Sequence, residues 1–320
     1  MSENTRLTYG PSNIDSFLTS SLSAIRGKRA RDTVFNEIPA FAWMEKKKKT
    51  KVTGGASLLV PIMSGGNSTA MFYRGYQQLD VTPQEGFTMA QYTWRNGSVS
   101  VSISGPEERA NKGEHVIIKL LNAKKDQALK ALRNKLSQKL WSTTQNADEL
   151  QALPILVDTT STVADISRSA NSWWQAQQTT SGVASARLLA DMKTMYNNIR
   201  RQSTEGSAPD LIITTQTVYE AYEGLAQPQQ RLEDTKMADL GFENLRFKTS
   251  QMFFDENCPS GQMYILHTDA LELVVNSEAD FDTTEFVKPA NQDARTAQIL
   301  VQLALVTDNP RRLGKLVSIS

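Results

Sequence analysis

Reactive side chains are what this chain most conspicuously lacks. Over 320 residues it carries one cysteine, Cys258, and two histidines, His115 and His267. A lone cysteine excludes an intrachain disulfide and fits a reducing compartment. Two histidines remove most metal sites and most general-base arrangements before spacing is considered. No apolar run approaches the roughly 18–20 residues of a membrane span. The N-terminus, Met1-Ser2-Glu3-Asn4-Thr5-Arg6, has no apolar signal core, so synthesis and folding in a cytoplasm are expected. The densest glycines, Gly54-Gly55 and Gly65-Gly66, lack the spacing of a phosphate loop and a helix to follow it. No Gly-x-Ser-x-Gly elbow is present.

The remaining reactive groups offer little. Cys258 and His267 could face each other across a hairpin as nucleophile and base, but a turn cysteine beside a strand histidine is more often incidental. His115, next to Glu114, reads as the opening of a helix. Glu278-Ala279-Asp280-Phe281-Asp282 reads as a surface acidic loop. Its carboxylate spacing could ligate Ca²⁺, yet it lacks the glycine and terminal glutamate of such loops. Trp173-Trp174 could stack on a nucleobase, or pack inside the protein or against another subunit. The expectation is a protein that is not an enzyme and has no metal and no cofactor.

Charge and pattern carry more. Net charge is +1, yet residues 1–55 hold ten Lys/Arg against five acids, which leaves −4 for the rest. A basic arm suggests an anionic partner, with Lys46, Lys47, Lys48, Lys49 and Lys51 as its candidates; the alternative is that these lysines are merely solvated. The arm holds a short amphipathic stretch (Ile14, Phe17, Leu18, Leu22) and an apolar cluster from Val34 to Trp43 interrupted by Pro39. The lysine run and Thr53-Gly54-Gly55 then separate the arm from a β-rich segment. Ser57 to Met63 and Ala70 to Tyr76 read as strands, Leu79 to Gly86 as a hairpin tip, and Phe87 to Ser104 as the returning arm. Within it Ser98-Val99-Ser100-Val101-Ser102-Ile103-Ser104 alternates strictly, as a half-buried strand does. The chain breaks at Gly105-Pro106-Glu107-Glu108. A helix runs from about 114 to 141, with Leu121, Leu129, Leu132, Leu136 and Leu140 at helical spacing and Lys124, Lys125, Lys130, Arg133, Lys135 and Lys139 on its polar face. Residues 148–266 read as α/β, with a helix from Ser185 to Arg201, a buried strand Leu211–Thr214, a helix from Gln216 to Leu225, and strands over 245–254 and 262–267. Strands over 271–275, 294–306 and 313–319 close the chain.

That ordered series, with Ser102-Ile103-Ser104-Gly105 running into the long helix and Ala290-Asn291-Gln292-Asp293-Ala294-Arg295 ahead of a closing strand pair, resembles the major capsid proteins of tailed bacteriophages with the HK97-type fold. Asn171-Ser172-Trp173-Trp174, Pro209-Asp210-Leu211-Ile212, Gln227-Pro228-Gln229-Gln230-Arg231 and Phe286-Val287-Lys288-Pro289 support it. The resemblance implies an α+β fold: an N-terminal arm (1–55), an extended β-hairpin loop (56–104), a peripheral domain with a spine helix (105–147 and 271–320) and an axial domain (148–270). It implies self-assembly into pentamers and hexamers of an icosahedral head around double-stranded DNA, bound without sequence preference. Subunit-contact candidates are Tyr73, Arg74, Tyr92, Trp94, Trp173 and Trp174. The location would be the virion, assembled in the host cytoplasm, with scaffolding, portal and decoration proteins as further partners and no membrane. Some relatives crosslink through a loop lysine, but none stands between Lys51 and Lys112, so non-covalent shell contacts are expected. The short arm implies a separate scaffolding protein or none. The competing reading is a non-shell nucleic-acid-binding protein that uses the basic arm.

Overall fold

The computed structural model describes residues 39–110, 120–179, 187–202, 207–226 and 245–319. The arm's Ile14–Leu22 stretch, His115 and the Gln227–Arg231 phrase lie outside them. The described chain divides into two units, one of residues 97–134 and 279–301, the other of 39–96, 135–278 and 302–319.

The larger unit begins with helix α1 (Pro39–Lys47). Proline is well suited to a first helical position, where its missing N–H would have no partner. The next N–H, of Ala40, donates to the buried Asp255 Oδ2 at 3.1 Å. Pro39 therefore starts a helix where it was expected to interrupt a cluster, and Phe41 and Met44 are buried on that helix. The lysine run is likewise not a separator. It closes α1, where cations suit the carbonyl end, and continues as strand β1 (Lys49–Val52). This strand pairs in parallel with β12 (Leu271–Thr283), Lys49 opposite Leu273 and Val52 opposite Asn276. Lys48 Nζ meets Asp269 Oδ1 at 2.7 Å just ahead of that pairing.

Strands β2 (Ser57–Met63) and β3 (Phe87–Thr93) form the antiparallel hairpin, in register from Ser57 opposite Thr93 to Met63 opposite Phe87. Residues 64–86, including the stretch expected to be a strand from Ala70 to Tyr76, contain no strand. The expected return arm is in fact two strands. After β3 the chain starts β4 (Arg95–Ser104), which joins a different sheet, of order β1-β12-β13-β4, with β13 spanning Ala294–Thr307. Its alternation behaves as the sequence dictates: Val101 and Ile103 are buried and the serines at 98, 100 and 102 exposed. The acidic stretch Glu278–Asp282 is not a loop but part of β12.

In the smaller unit the break after β4 is a capped helix start. Ser104 Oγ accepts from Glu107 N (3.3 Å) while Glu107 Oε2 accepts from Ser104 N (3.0 Å), a reciprocal capping box for α2 (Gly105–Ala110). Asp293 holds α2 from outside: its carbonyl accepts from Gly105 N at 2.7 Å and its carboxylate meets Arg109 at 2.9 Å. A Cβ at Gly105 would fall against that carboxylate, which would have to move away to admit it. The long helix is α3 (Leu120–Leu140). Several of its cations have partners in their own unit. Lys124 pairs with Glu107 at 2.9 Å, and Lys125 and Arg133 lie over the rings of Phe286 and Phe281, 5.2 and 5.1 Å from their centroids. Farther along, in the larger unit, Lys139 meets Glu149 at 2.6 Å.

The core of the larger unit is a six-stranded mixed sheet ordered β7 (Gln177–Gln178), β14 (Leu313–Leu316), β11 (Met263–Leu266), β8 (Leu211–Thr214), β10 (Ser250–Phe254), β9 (Leu245–Phe247). The stretch read as one strand over 245–254 is a β9–β10 pair turning at Lys248-Thr249. Strands β8 and β11 are buried at every position, so the sheet is covered on both faces. Alternation assigns the faces. Ile212, Met252, Met263, Ile265 and Leu316 share one cluster with Leu188, Met192, Met195 and Ile199 of α5 (Leu188–Arg201) and Val218, Tyr219 and Tyr222 of α6 (Gln216–Ala226). Tyr264, of opposite parity, packs against Trp141 with 5.1 Å between centroids and the rings tilted by 60°.

A single buried guanidinium organises the loop ahead of β7. Helix α4 (Leu153–Leu156) is one turn long and leaves its last carbonyls without helical partners. Arg168, fully buried, supplies them: Nη1 donates to Ile155 O (3.0 Å) and Asp158 O (2.8 Å), and Nη2 to Leu156 O (2.7 Å). Burial depresses its pKa to about 10, which leaves it charged near neutrality. An orphaned buried carbonyl costs about 1–3 kcal/mol. Ile155 O and Asp158 O also accept from Ser161 Oγ and Ala176 N, respectively, so Arg168→Met orphans Leu156 O and should destabilise the subunit by about 1–3 kcal/mol in urea unfolding, and Arg168→Lys by less; equal stability of all three chains would contradict this role.

Candidate subunit-contact surface

The hairpin has two apolar faces. On one, Ile62, Ala90 and Tyr92 are buried. On the other, Pro61 pairs with Met89 and Met63 with Phe87, and this face is bare: Met63 is 73% exposed, Phe87 78% and Met89 60%. Beyond the strands the pattern intensifies. Phe72 and Tyr76 are fully exposed, and Val81, Tyr73 and Leu79 are at least half exposed. Isolated surface apolar groups are ordinary, whereas a contiguous set marks an interface.

The hairpin's base is fixed by polar contacts. Tyr92 Oη donates to Thr307 O at 2.7 Å and accepts from Thr307 N at 3.2 Å. Trp94 Nε1 donates to Gly55 O at 2.9 Å, Gln91 N to Ala164 O at 3.2 Å, and Arg95 Nη1 to Ala147 O. Ala164 and Asp165, with φ of 55° and 61°, form the tight turn between β5 (Thr162–Val163) and β6 (Ile166–Ser167) that presents this Ala164 carbonyl.

The named contact candidates therefore occupy different places. Tyr73 and Arg74 lie exposed on the excursion, whereas Tyr92 and Trp94 are buried at its root. Trp174 is buried, its Nε1 donating to Val163 O at 3.2 Å, and Trp173 is half-buried beside it. Sequence reading did not single out Phe72, Tyr76, Val81 or Phe87, although four large apolar residues among turn-forming neighbours were the available signal. Of the lysine candidates, Lys46, Lys47 and Lys51 are exposed or nearly so, Lys49 is half-buried in β1, and Lys48 is held by Asp269. Among the described residues no group of three or more His, Cys, Asp and Glu could hold a metal ion, and no helix is long and apolar enough to cross a membrane.

Comparison with known proteins points the same way. The family model described as SU10 major capsid protein matches residues 98–320. No curated protein matches the chain. Among solved structures, the capsid asymmetric unit of cyanophage A-1(L) superposes with a TM-score of 0.67 at 16% identity, over 93% of this chain and 97% of that one. A structure from Mycobacterium phage Bobi gives 0.59 at 13% identity, covering 95% and 98%. The holo-SrpI encapsulin complex from Synechococcus elongatus gives 0.59 at 8% identity, covering 91% and 92%.

The Cys258–His267 pair is committed elsewhere. Cys258 is buried, and burial pushes its thiol pKa far up, so it stays protonated. His267 Nε2 lies 2.6 Å from Ser207 Oγ and 2.9 Å from Arg312 Nη2. A guanidinium can only donate, so Nε2 carries the lone pair and the ring is neutral. Burial first, and Arg312 second, hold its pKa below the ordinary imidazole value, against the pull of Asp210 and Asp269. Between that depressed pKa and about 6.5 the unfolded chain binds a proton that the folded chain refuses, so stability falls on acidification. The melting temperature of the subunit should drop between about pH 7 and pH 5 by a component that His267→Gln lacks; parallel pH curves for the two chains would rule this out.

Proposed function

The chain belongs to the SU10 major capsid protein family, and on that premise we propose how a shell is built from it. It is a non-enzymatic, shell-forming capsid protein of the α+β HK97-type fold that associates with copies of itself in a capsid lattice. The finer reading is ours. Copies gather as pentamers and hexamers of an icosahedral phage head, and the β2–β3 hairpin of each lies over a neighbour, which covers its bare face. The observation that carries this reading is the run of exposed apolar residues from Leu59 to Phe87, rooted at Tyr92 and Trp94 and uncovered beyond. In this scheme residues 1–55 are the arm, 56–104 the extended loop with β4 returning to the peripheral sheet, 105–147 and 271–320 the peripheral domain, and 148–270 the axial domain.

Double-stranded DNA is the proposed content of the shell. Lys46, Lys47 and Lys51 are accessible cations suited to phosphate contact, which carries no base information. Assembly in the host cytoplasm and the use of scaffolding, portal and decoration proteins extend the same reading. Nothing observed favours the non-shell alternative, which leaves the hairpin face unexplained.

Burying one large apolar side chain is worth about 1.5–3 kcal/mol. Phe72→Ser with Tyr76→Ser should raise the protein concentration needed for assembly by at least about tenfold, the equivalent of about 1.4 kcal/mol. Sedimentation velocity and electron microscopy read this, while the melting temperature of the unassembled subunit should stay near that of the parent. Unchanged assembly would remove the hairpin from the contact.

A further inference from the structure

Helices α5 and α6 cover the same core and turn outward faces of opposite charge. On α5, Lys193, Asn197 and Arg200 recur at helical spacing on the side away from the buried cluster, with Arg201 beside them. Lys248 joins them from the β9–β10 turn. Its Nζ lies 4.1 Å from the Tyr196 ring centroid and donates to Asn197 Oδ1 at 3.1 Å. Its backbone, with φ of 54°, sits in the left-handed region that glycine or asparagine would occupy at lower cost. Burial, and after it the charges of Lys193 and Arg200, depress the Lys248 ammonium. Among the described residues none of these three cations has a carboxylate partner. On α6, Glu220 and Glu223 are exposed one turn apart, and among the described residues Glu220 meets only the neutral amide of Gln216, at 2.8 Å. Phe254, 41% exposed, packs edge-on against Tyr219 of the same helix and adds an apolar element to that face.

Resting on the shell reading, we propose that the basic face of α5 with Lys248 docks against the acidic face of α6 on the next copy around a ring. Each copy then uses one face of each sign, a heterologous contact, and such contacts form a ring when the rotation between copies closes. A carboxylate partner relieves the like-charge crowding at Lys248. Nucleic acid would neutralise the cations too, but it would leave Glu220 and Glu223 uncompensated. A second copy satisfies both faces with one contact.

The test is a charge swap on the full chain, read by sedimentation velocity and electron microscopy at low and high salt. Lys193→Glu with Arg200→Glu should raise the assembly threshold at least about tenfold, and so should Glu220→Lys with Glu223→Lys. The milder Lys193→Gln with Arg200→Gln should act in the same direction, with each variant's melting temperature confirming the fold. The chain carrying all four reversals should recover most of the loss. An equimolar mixture of the two double-reversal chains can alternate only around an even ring, so it should restore hexamers and not pentamers. The proposal falls if the double reversals assemble like the parent, or if the fourfold chain does no better than they do. It also falls if basic-face reversal spares assembly and lowers only DNA retention, since the occupant is then nucleic acid. A parent chain that stays monomeric throughout would instead sink the shell reading, and this contact with it.

Discussion

A two-stranded ribbon has two faces, and only one of them can lie against the body that carries it. Here the inner face is spent on Ile62, Ala90 and Tyr92, while the outer one leaves Met63, Phe87 and Met89 in water. Nothing in the ribbon's own sequence offsets that exposure. Its base is bonded at four places, through Gln91, Tyr92, Trp94 and Arg95. A ribbon fixed at its root loses little further freedom when its far end is covered, so the entropic cost of docking is largely met by intramolecular bonds. The stiffness of the root and the bareness of the tip are two halves of one device.

How much of this was legible depended on how local the cause was. The alternation of β4 follows from residue types alone, and so does the amphipathic stretch of α3. The capping box at Ser104 and Glu107 is written in the sequence, yet without the reciprocal bonds in view it reads as a mere break. The lysine run could not be recognised as a strand, because what makes it one is β12, whose Leu273 pairs with Lys49 across more than two hundred residues. The acidic stretch from Glu278 was misplaced for the same reason: its extended form is imposed by its place in β12, not by its own propensity. Tyr92 and Trp94 were contact candidates because the resemblance places them on the extended hairpin loop. Whether such a side chain turns inward is decided by the carbonyl it reaches, Thr307 O or Gly55 O, which no local pattern announces.

Buried charge in this protein serves shape rather than reaction. Arg168 replaces the missing continuation of α4 with a guanidinium, and Lys315 reaches Pro154 O at 3.2 Å on the same one-turn helix. Two cations beside one short run of carbonyls, with Asp158 3.5 Å from Lys315, fix the path of residues 153–168. His267 is neutral because Arg312 allows it nothing else. Each of these groups is perturbed, and perturbed groups often mark active sites. The distinction is access. Arg168 is wrapped in carbonyls, His267 is spent on Ser207 and Arg312, and Cys258 keeps its proton, so none is presented to a substrate.

The absence of lysine between Lys51 and Lys112 then acquires a thermodynamic meaning. A hairpin without lysine cannot supply the amine of an amide crosslink, so in the proposed contact its hold on a neighbour is read as coming from area and fit. Apolar contacts are non-directional and weak per group, which allows a misplaced subunit to leave and try again. Repeated over a closed shell, the same weak contacts act together and become collectively hard to reverse. Direction has to be supplied separately, because greasy surfaces do not distinguish one approach from another. Charges do, since a like-charged encounter is penalised before any apolar surface meets. In the contacts proposed above, a bare apolar ribbon and oppositely charged helix faces divide the work in that way: the ribbon would provide the attraction, and the helices would select the orientation in which it is used.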